Sequence, residues 1–510
     1  MSSTLILLII LTYFVLLLGV AFYTSKNSNN DSFFIGNRSS NWVLVAFGMI
    51  GTSLSGVTFI SVPGTVGKMT PGSYPFGGFE YYMLVIGFFL GYFIVAAILL
   101  PLYYRMNLTS IYTYLGKRFN VEAHKIGSVF FIISRSIGAT ARLFLVVNVL
   151  QIFLLEPLGV PFWVTSAILL LMVLLYTFEG GVKTIVITDT LQTSFMIISL
   201  VACIVYILTK MDLSVGTAAQ DLAGKGYSHL LNLNFKDKTF FLKTVLGGMF
   251  ITIAMTGLDQ EMMQKNISVN NVKNAKKNMI TFSFILLIVN LAFLFLGGLL
   301  YLYAQKEGGF YTDAGFFLHQ GGANVMGDDL FPALSLQGHF PGIITIIFVI
   351  GLISALFPSA DGALTAVTSS YCVDLLNLKE KSNLDEKAKK KIRMRVHLVF
   401  TVVFFLLIMV FKALNNKTIV YLIMEIAGYT YGPLLGLFAF GIFTKRSINT
   451  KYTILAVTLL APALTYFINQ LVIANTDYKI GVELIILNGF ITFMGLYAVS
   501  KKGKTELANT

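Results

Sequence analysis

The strongest constraint on this chain is the repetition of apolar blocks, each roughly twenty residues long, from residue 3 to residue 499. A helix of that length crosses the roughly 30 Å hydrocarbon core of a bilayer. Hydrophobic residues make up 56% of the 510 residues and charged residues only 12%. A soluble domain carries about 25% charged residues, so this chain has too little polar surface to cover itself in water. The sequence therefore predicts an all-α polytopic membrane protein.

The apolar blocks divide the chain into about thirteen predicted transmembrane helices. An odd number of spans places the two ends of the chain on opposite sides of the membrane. The predicted spans are 3–24, 41–66, 74–104, 125–155, 160–178, 182–209, 240–264, 276–305, 341–376, 394–413, 417–443, 451–473 and 480–499.

The positive charge of the chain is distributed as in a membrane protein, not as in a nucleic-acid-binding protein. The net charge is +13, and Lys and Arg concentrate in the loops after spans one, three, seven, nine, eleven and thirteen. By the positive-inside rule these loops are cytoplasmic. We therefore predict a multi-pass protein of the cell (inner) membrane, with its N-terminus outside and its C-terminus in the cytoplasm.

Two predicted spans contain small and polar residues that are unfavourable in a continuous transmembrane helix. Span 41–66 contains GTSLSG at 51–56, and span 240–264 contains TIAMTG at 252–257. Broken helices are tolerated in a bilayer where they line a cavity, and there their free backbone groups bind ions and substrates. Small residues at helix-packing interfaces are the alternative. The two spans lie five apart, which favours two five-helix units in inverted orientation.

Ionisable residues inside the spans are a further indication of a functional site, because an unpaired charge in lipid is unfavourable. Carboxylates, hydroxyls and broken backbone together supply the oxygen ligands that a hard cation requires. Arg135 and Arg142 are seven residues apart, so both can point into the bundle. Purely structural pairing of a carboxylate with an arginine is the alternative. The carboxylates concerned are Asp189, Asp361, Glu80, Glu425 and Asp259.

Enzymes and ATP-driven pumps are disfavoured by motifs that the sequence does not contain. It has no Walker or GxGxxG loop for a nucleotide, no nucleophile elbow, and no His/Cys/Glu spacing for a catalytic metal. We therefore expect a carrier with no cofactor, not an enzyme.

Four segments resemble the sodium/solute symporter family, which includes sodium-coupled sugar, proline and sialic acid transporters. They are LPLYYRMNLTSIYTYLGKRF (100–119), GGVKTIVITDTLQ (180–192), GLDQEMMQKNISVNNVKNAKK (257–277) and GYTYGPLLGLFAFGIFTKR (428–446). The resemblance covers nearly the whole chain and implies a LeuT-type fold. Its parts would be a preceding helix at 3–24, inverted five-helix repeats at 41–209 and 240–443, two last helices at 451–499 and a cytoplasmic tail at 500–510.

The resemblance also implies that sodium is the coupling ion. Matched positions for a central sodium site are the backbone at Gly51 and Leu54, then Ala355 and Ser359. The family usually has two adjacent hydroxyl residues at the latter position, and this chain has Pro358 before Ser359. One ligand is therefore missing.

The carboxylate of Asp361 could restore cation affinity from near the altered site. Asp361 replaces a serine that some family members use at a second ion site, and Asp189 matches an aspartate that faces that site. We predict sodium coupling with a remodelled site. Proton coupling through Asp361, or loss of ion dependence, remains the alternative.

The substrate positions implied by the resemblance are Ser53, Ser55, Thr58, Glu80, Met255 and Glu425. Met255 and Glu425 differ from the sugar carriers of the family, which use an aromatic residue and a glutamine there. Two carboxylates and several hydroxyls would suit a sugar derivative, a polyol or a cationic solute. Arg135 or Arg142, if it faces the cavity, would suit an organic acid instead.

These observations predict a secondary active transporter that takes up a small polar organic solute with sodium by alternating access. The expected partners are the solute, sodium and the lipid bilayer, with no nucleic acid, and a monomer is the expected functional form. A passive channel or a sensor derived from the same fold is the alternative.

Overall fold

A computed structural model describes residues 3–502 apart from 26–29, 69–75, 313–314, 320–321, 323, 326, 382, 415–418 and 449–451. The predicted tail at 500–510 therefore lies outside the described residues beyond position 502. Helices dominate the architecture, and their bounds are as follows: α1 Ser3–Ser25, α2 Asn30–Ile35, α3 Trp42–Ser53, α4 Gly56–Thr65, α5 Tyr81–Ile94, α6 Leu100–Arg105, α7 Thr113–Arg118, α8 Val121–Leu150, α9 Phe162–Met211, α10 Val215–Gly224, α11 Phe241–Thr252, α12 Gln260–Ile267, α13 Val272–Lys306, α14 Leu330–Leu336, α15 Gly342–Ser370, α16 Glu386–Leu414, α17 Ile419–Thr430, α18 Gly432–Phe443, α19 Thr453–Asn475 and α20 Leu484–Val499.

The described part of the chain contains eight helices that are long and apolar enough to cross a membrane, or eleven when each of three bent pairs is taken as one span. Two shorter apolar helices, Phe162–Phe178 and Leu484–Val499, lie at the predicted spans 160–178 and 480–499. If both also cross, the number of spans equals the predicted thirteen. That number remains a prediction.

The first break lies where the sequence predicts it, between α3 and α4, whose axes differ by 55°. Leu54 ends α3 with φ −87° and ψ 81°, which is not a helical conformation. The last carbonyls of a helix have no amide four residues ahead, so the break leaves polar backbone groups inside the bundle. Every residue of α4 is buried.

The second break also lies in its predicted span, and it separates α11 from α12 by 63°. A π-helical turn, Ile253–Gly257, ends the first half. Asp259 begins the second half, because its Oδ1 accepts hydrogen bonds from the amides of Glu261 at 2.9 Å and Met262 at 3.2 Å. An acceptor at this position satisfies amides that a helix start leaves unpaired.

A third break divides the predicted span 417–443 into two helices. The axes of α17 and α18 differ by 42°. Pro433 lies in the first turn of α18, where its missing amide is tolerated. The carbonyls freed before it at Gly428 and Tyr429 accept hydrogen bonds from Asn488 Nδ2 at 3.0 and 2.9 Å.

The long helix α9 is kinked at Gly181, whose φ of 57° is in the left-handed region. A side chain at this position would overlap the backbone of Phe33, so both conformation and space require glycine. The kink separates the two predicted spans 160–178 and 182–209.

The segments 210–240 and 306–340 contain short ordered elements. The first contains α10, and the second contains α14 and an antiparallel pair, β1 Phe310–Thr312 and β2 Gly315–Phe317. The Tyr311 hydroxyl donates to the Gly67 carbonyl at 3.1 Å, so the second segment contacts the chain just beyond α4.

Candidate functional site

A cavity of about 110 Å³ lies beside the first and second breaks. Helices α3, α4, α5, α8, α11 and α17 and the π-helical turn after α11 contribute to its wall. The lining residues are Ser53, Ser55, Val57, Thr58, Tyr81, Phe88, Arg142, Ile251, Met255, Ile423, Met424 and Ala427.

Five of the predicted substrate residues line this one cavity: Ser53, Ser55, Thr58, Arg142 and Met255. Three of them are hydroxyl residues at or just after the first break. The break ends α3 at Ser53 and restarts the helix at Gly56, so Ser53 and Ser55 flank the break and Thr58 lies in the first turn of α4. A pocket with a mostly apolar wall and a few convergent polar groups is typical of a small-molecule site.

Arg142 is the cation of the cavity wall. It is half-buried on α8. Among the residues that the structure describes, no acidic side chain forms an ion pair with Arg142 and no acceptor receives a hydrogen bond from it. An arginine in such a position has five donors available for a ligand.

Glu80 and Glu425, also predicted to face the substrate, are not among the residues that line the cavity. Glu80 is buried at the start of α5, where its Oε2 accepts from the Gly77 amide at 3.4 Å and its Oε1 lies 3.7 Å from His229 Nε2. Glu425 is half-buried on α17. Their roles as substrate ligands remain predictions.

Arg135 lies outside the cavity lining, two helical turns before Arg142. It forms an ion pair with Glu261, and its Nη1 lies 3.8 Å from Asp259 Oδ2. The Tyr431 hydroxyl donates to the same Asp259 oxygen at 2.9 Å. Arg135 therefore connects α8 to the second break, and Tyr431 connects that break to the third.

A second charged group, centred on Lys265, lies beside the first break. Lys265 Nζ is 2.6 Å from Asp189 Oδ2 and donates to Thr52 Oγ1 at 2.5 Å. Thr52 Oγ1 in turn donates to Asp189 Oδ2 at 3.1 Å. Glu261 Oε1 lies 3.8 Å from the ammonium. These residues bring α3, α9 and α12 together around one buried cation.

Asp361, the other predicted ion-binding carboxylate, is fully buried in the middle of α15. The Tyr176 hydroxyl donates to its Oδ2 at 2.6 Å, and the Gly362 amide donates to its Oδ1 at 2.5 Å. Both oxygens therefore have a donor. Among the described residues, no three His, Cys, Asp or Glu side chains converge as a metal ion would require.

The predicted central sodium residues lie on two helices that touch. A Cβ added to Gly51 of α3 would lie 3.5 Å from Pro358 Cγ of α15. On α15, Ser359 Oγ lies 3.5 Å from the Ala355 carbonyl. The same added Cβ would overlap Thr193 Oγ1, a buried hydroxyl that has no hydrogen-bond partner within the described part of the chain. Carbonyl and hydroxyl oxygens of this kind fit a sodium ion.

The sequence reasoning missed Lys265, Glu261, Tyr176 and Thr193. Lys265 and Glu261 stand in the quoted segment 257–277, but the polar residues of that segment indicated the end of a span. In the structure every residue of α12 is buried. Thr193 follows Asp189 by four residues, so helical spacing alone places it on the same face.

Comparison with known proteins gives matches over most of the chain. The family model described as "Sodium:solute symporter family" matches residues 33–456. The sodium/sialic acid symporter SiaT of Proteus mirabilis is 25% identical over 440 residues, which cover 85% of this chain and 83% of the relative. The sodium-coupled monocarboxylate transporter 1 of Mus musculus is 25% identical over 426 residues, covering 83% of this chain and 66% of the relative.

The fold is similar to that of a solved transporter. The substrate-bound, outward-open structure of a Na⁺-coupled sialic acid symporter superposes with a TM-score of 0.79 at 20% identity, covering 98% of this chain and 99% of that one. This match confirms the LeuT-type fold expected from the sequence.

Proposed function

The chain belongs to the sodium:solute symporter family, and we propose that it couples a sodium gradient to the uptake of a small organic carboxylate. Sodium coupling is proposed from the family, and the substrate class is proposed from the unpaired cation in the cavity wall. Transporters of the family are not enzymes, and sodium is cargo here, not a cofactor.

Arg142 carries the assignment of the substrate class. It lines the cavity, and within the described residues no carboxylate neutralises it. A guanidinium matches the geometry of a carboxylate with two parallel hydrogen bonds, and such charge-assisted pairs are the strong ones. A neutral sugar or polyol would leave this partly buried charge without a counter-ion, and a cationic solute would be repelled by it.

The hydroxyls of Ser53, Ser55 and Thr58 supply the remaining polar groups of the cavity. A hydroxyl both donates and accepts, so these residues suit the oxygens of a hydroxy acid or of a larger acidic sugar. The cavity volume of about 110 Å³ is below the roughly 300–1,000 Å³ usual for ligand pockets. A small monocarboxylate fits this conformation, whereas an acidic sugar would require the cavity to widen.

The two relatives agree with this chemistry, since sialic acids and monocarboxylates share a carboxylate and differ in size.

For the ion, the oxygens at the first break support a sodium site built from Gly51, Leu54, Ala355 and Ser359, with Thr193 as an added ligand. A sodium site at the first break would lie beside the cavity, which suits alternating access. We also propose inverted repeats at 41–209 and 240–443, an outside N-terminus, and a monomer in the cell membrane as the working unit.

The function is tested with purified protein in liposomes that carry an imposed sodium gradient. Labelled N-acetylneuraminate and lactate are compared with myo-inositol, glucose and proline. We expect accumulation of a carboxylate above its equilibrium level with sodium outside, and loss of accumulation when choline replaces sodium.

Four other results would contradict parts of the proposal. Equal rates in choline would exclude sodium coupling, and uptake driven by a pH gradient alone would favour proton coupling through Asp361. Sodium-driven accumulation of myo-inositol but of no acid would exclude the role given to Arg142. Equilibration without accumulation would identify a passive channel.

A further inference from the structure

Lys265 is a buried cation held by oxygens from three separate elements. Its side chain is 3% exposed, and its charge is matched by Asp189 of α9 at 2.6 Å and Glu261 of α12 at 3.8 Å. Thr52 of α3 accepts from the same ammonium at 2.5 Å. The contacts are therefore those that a monovalent cation would make at this position.

The Lys265 ammonium and the predicted sodium site compete for one carboxylate. The sequence predicts Asp189 as a sodium ligand, yet its Oδ2 already accepts from Lys265 and from Thr52. Only Oδ1 lacks a partner within the described residues. An ammonium is a compact point charge with three donors, so it resembles a small cation more closely than a guanidinium does.

We infer that the Lys265 ammonium is a tethered cation that neutralises Asp189 in place of a second sodium ion. The inference rests on the proposed sodium coupling, and it restricts sodium to the site at Gly51, Leu54, Ala355 and Ser359. A tethered charge cannot leave with the solute. It therefore holds α3, α9 and α12 together in every transport state and lowers the number of sodium ions that move with each solute.

The inference is tested by removing the ammonium and asking whether sodium replaces it. The melting temperature of purified protein in detergent is measured in NaCl and in choline chloride, for wild type and for Lys265→Met, whose side chain has a similar volume. An ion that binds only the native state raises the free energy of unfolding by RT ln(1 + [L]/Kd), where [L] is the ion concentration. Each bound ion adds its own contribution. If Lys265→Met binds two sodium ions of similar affinity, the increase in melting temperature that sodium causes is expected to be about twice the increase in wild type.

Three variants control for other effects of the substitution. Lys265→Arg keeps a cation, and Lys265→Met/Asp189→Asn removes both charges, so both are expected to show the wild-type sodium rise. Lys243→Met removes another buried lysine, 3.8 Å from its partner Glu483 and far from the first break in sequence. It is expected to lower stability without enlarging the sodium rise.

A sodium rise in Lys265→Met equal to the wild-type rise would overturn the inference. Failure of Lys265→Met to fold in NaCl, when the double variant folds, would overturn it too, because sodium should restore the missing charge. A wild type that sodium does not stabilise would contradict the proposed sodium coupling instead. The inference on Lys265 is decided by the difference between variant and wild type, so the two failures are distinguishable.

Discussion

Two arginines on one helix, Arg135 and Arg142, have opposite surroundings. Arg135 is 4% exposed and is paired with Glu261, with Asp259 3.8 Å away. Arg142 is half-buried, lines the cavity, and has no acidic partner among the described residues. The first charge is satisfied by the protein, whereas the second is available to a ligand.

The difference between them arises from depth along the helix, not from the face they occupy. Seven residues return a helix to nearly the same face but advance it by about 10 Å. That advance moves the side chain from the level of the second break, where Asp259 and Glu261 supply two carboxylates, to the level of the first break, which supplies hydroxyls. The two side chains are chemically identical, but the broken helices place different groups opposite them. Arg135 is therefore paired within the protein, and Arg142 remains available to a ligand.

The largest expected effect is on the stability of Arg135→Gln. Removing one member of a buried ion pair leaves an uncompensated charge and costs about 3–5 kcal/mol. Glu261 and Asp259 would both lose their cation. A large fall in the melting temperature of the purified protein checks this, with Arg135→Lys as the control that keeps the charge. An unchanged melting temperature would show that the pair is not structural.

Arg142→Gln is expected to act on transport and to leave stability unchanged. Loss of a buried charge pair with the solute costs roughly 2–5 kcal/mol, which is about 30-fold or more in kcat/KM for sodium-driven uptake. Arg142→Lys keeps the charge but not the two parallel donors, so it should retain part of the uptake. A fall in melting temperature similar to that of Arg135→Gln would remove the contrast between the two arginines.

A smaller effect is expected for Tyr431→Phe, which tests the link between the second and third breaks. The hydroxyl donates to Asp259 at 2.9 Å, and a hydrogen bond to a charged group contributes roughly 1.5–3 kcal/mol. The variant should melt at a temperature between those of wild type and Arg135→Gln. Tyr429→Phe, at a half-buried neighbour whose hydroxyl accepts a long 3.4 Å contact from Asn469, is the matched control and should be nearly neutral.

The sequence predicted the membrane location, the fold and two of the three breaks, because each leaves a local signature. Apolar length marks a span, and the small polar clusters at 51–56 and 252–257 mark a break. The third break was not predicted, although Gly428, Thr430, Gly432 and Pro433 stand in its segment. Its freed carbonyls are satisfied by Asn488 from a distant helix.

The charges of the candidate site were harder to predict, because they depend on contacts between distant segments. Lys265 and Glu261 lie in a polar stretch, and a polar stretch by itself indicates exposure to solvent. In the structure, every residue of α12 is buried. Arg135 and Arg142 were likewise equivalent candidates when judged from their spacing alone. Only the positions of Asp259 and Glu261 separate a paired arginine from an unpaired one.

The central claim is that Arg142 recognises a carboxylate during sodium-driven transport. It is tested most directly by competition in liposomes, with unlabelled acid or its primary amide added against uptake of the labelled acid. The account predicts that the amide, which matches the acid in shape but lacks its charge, needs about 30-fold or more higher concentration to halve uptake. An amide that competes as well as the acid would contradict the claim.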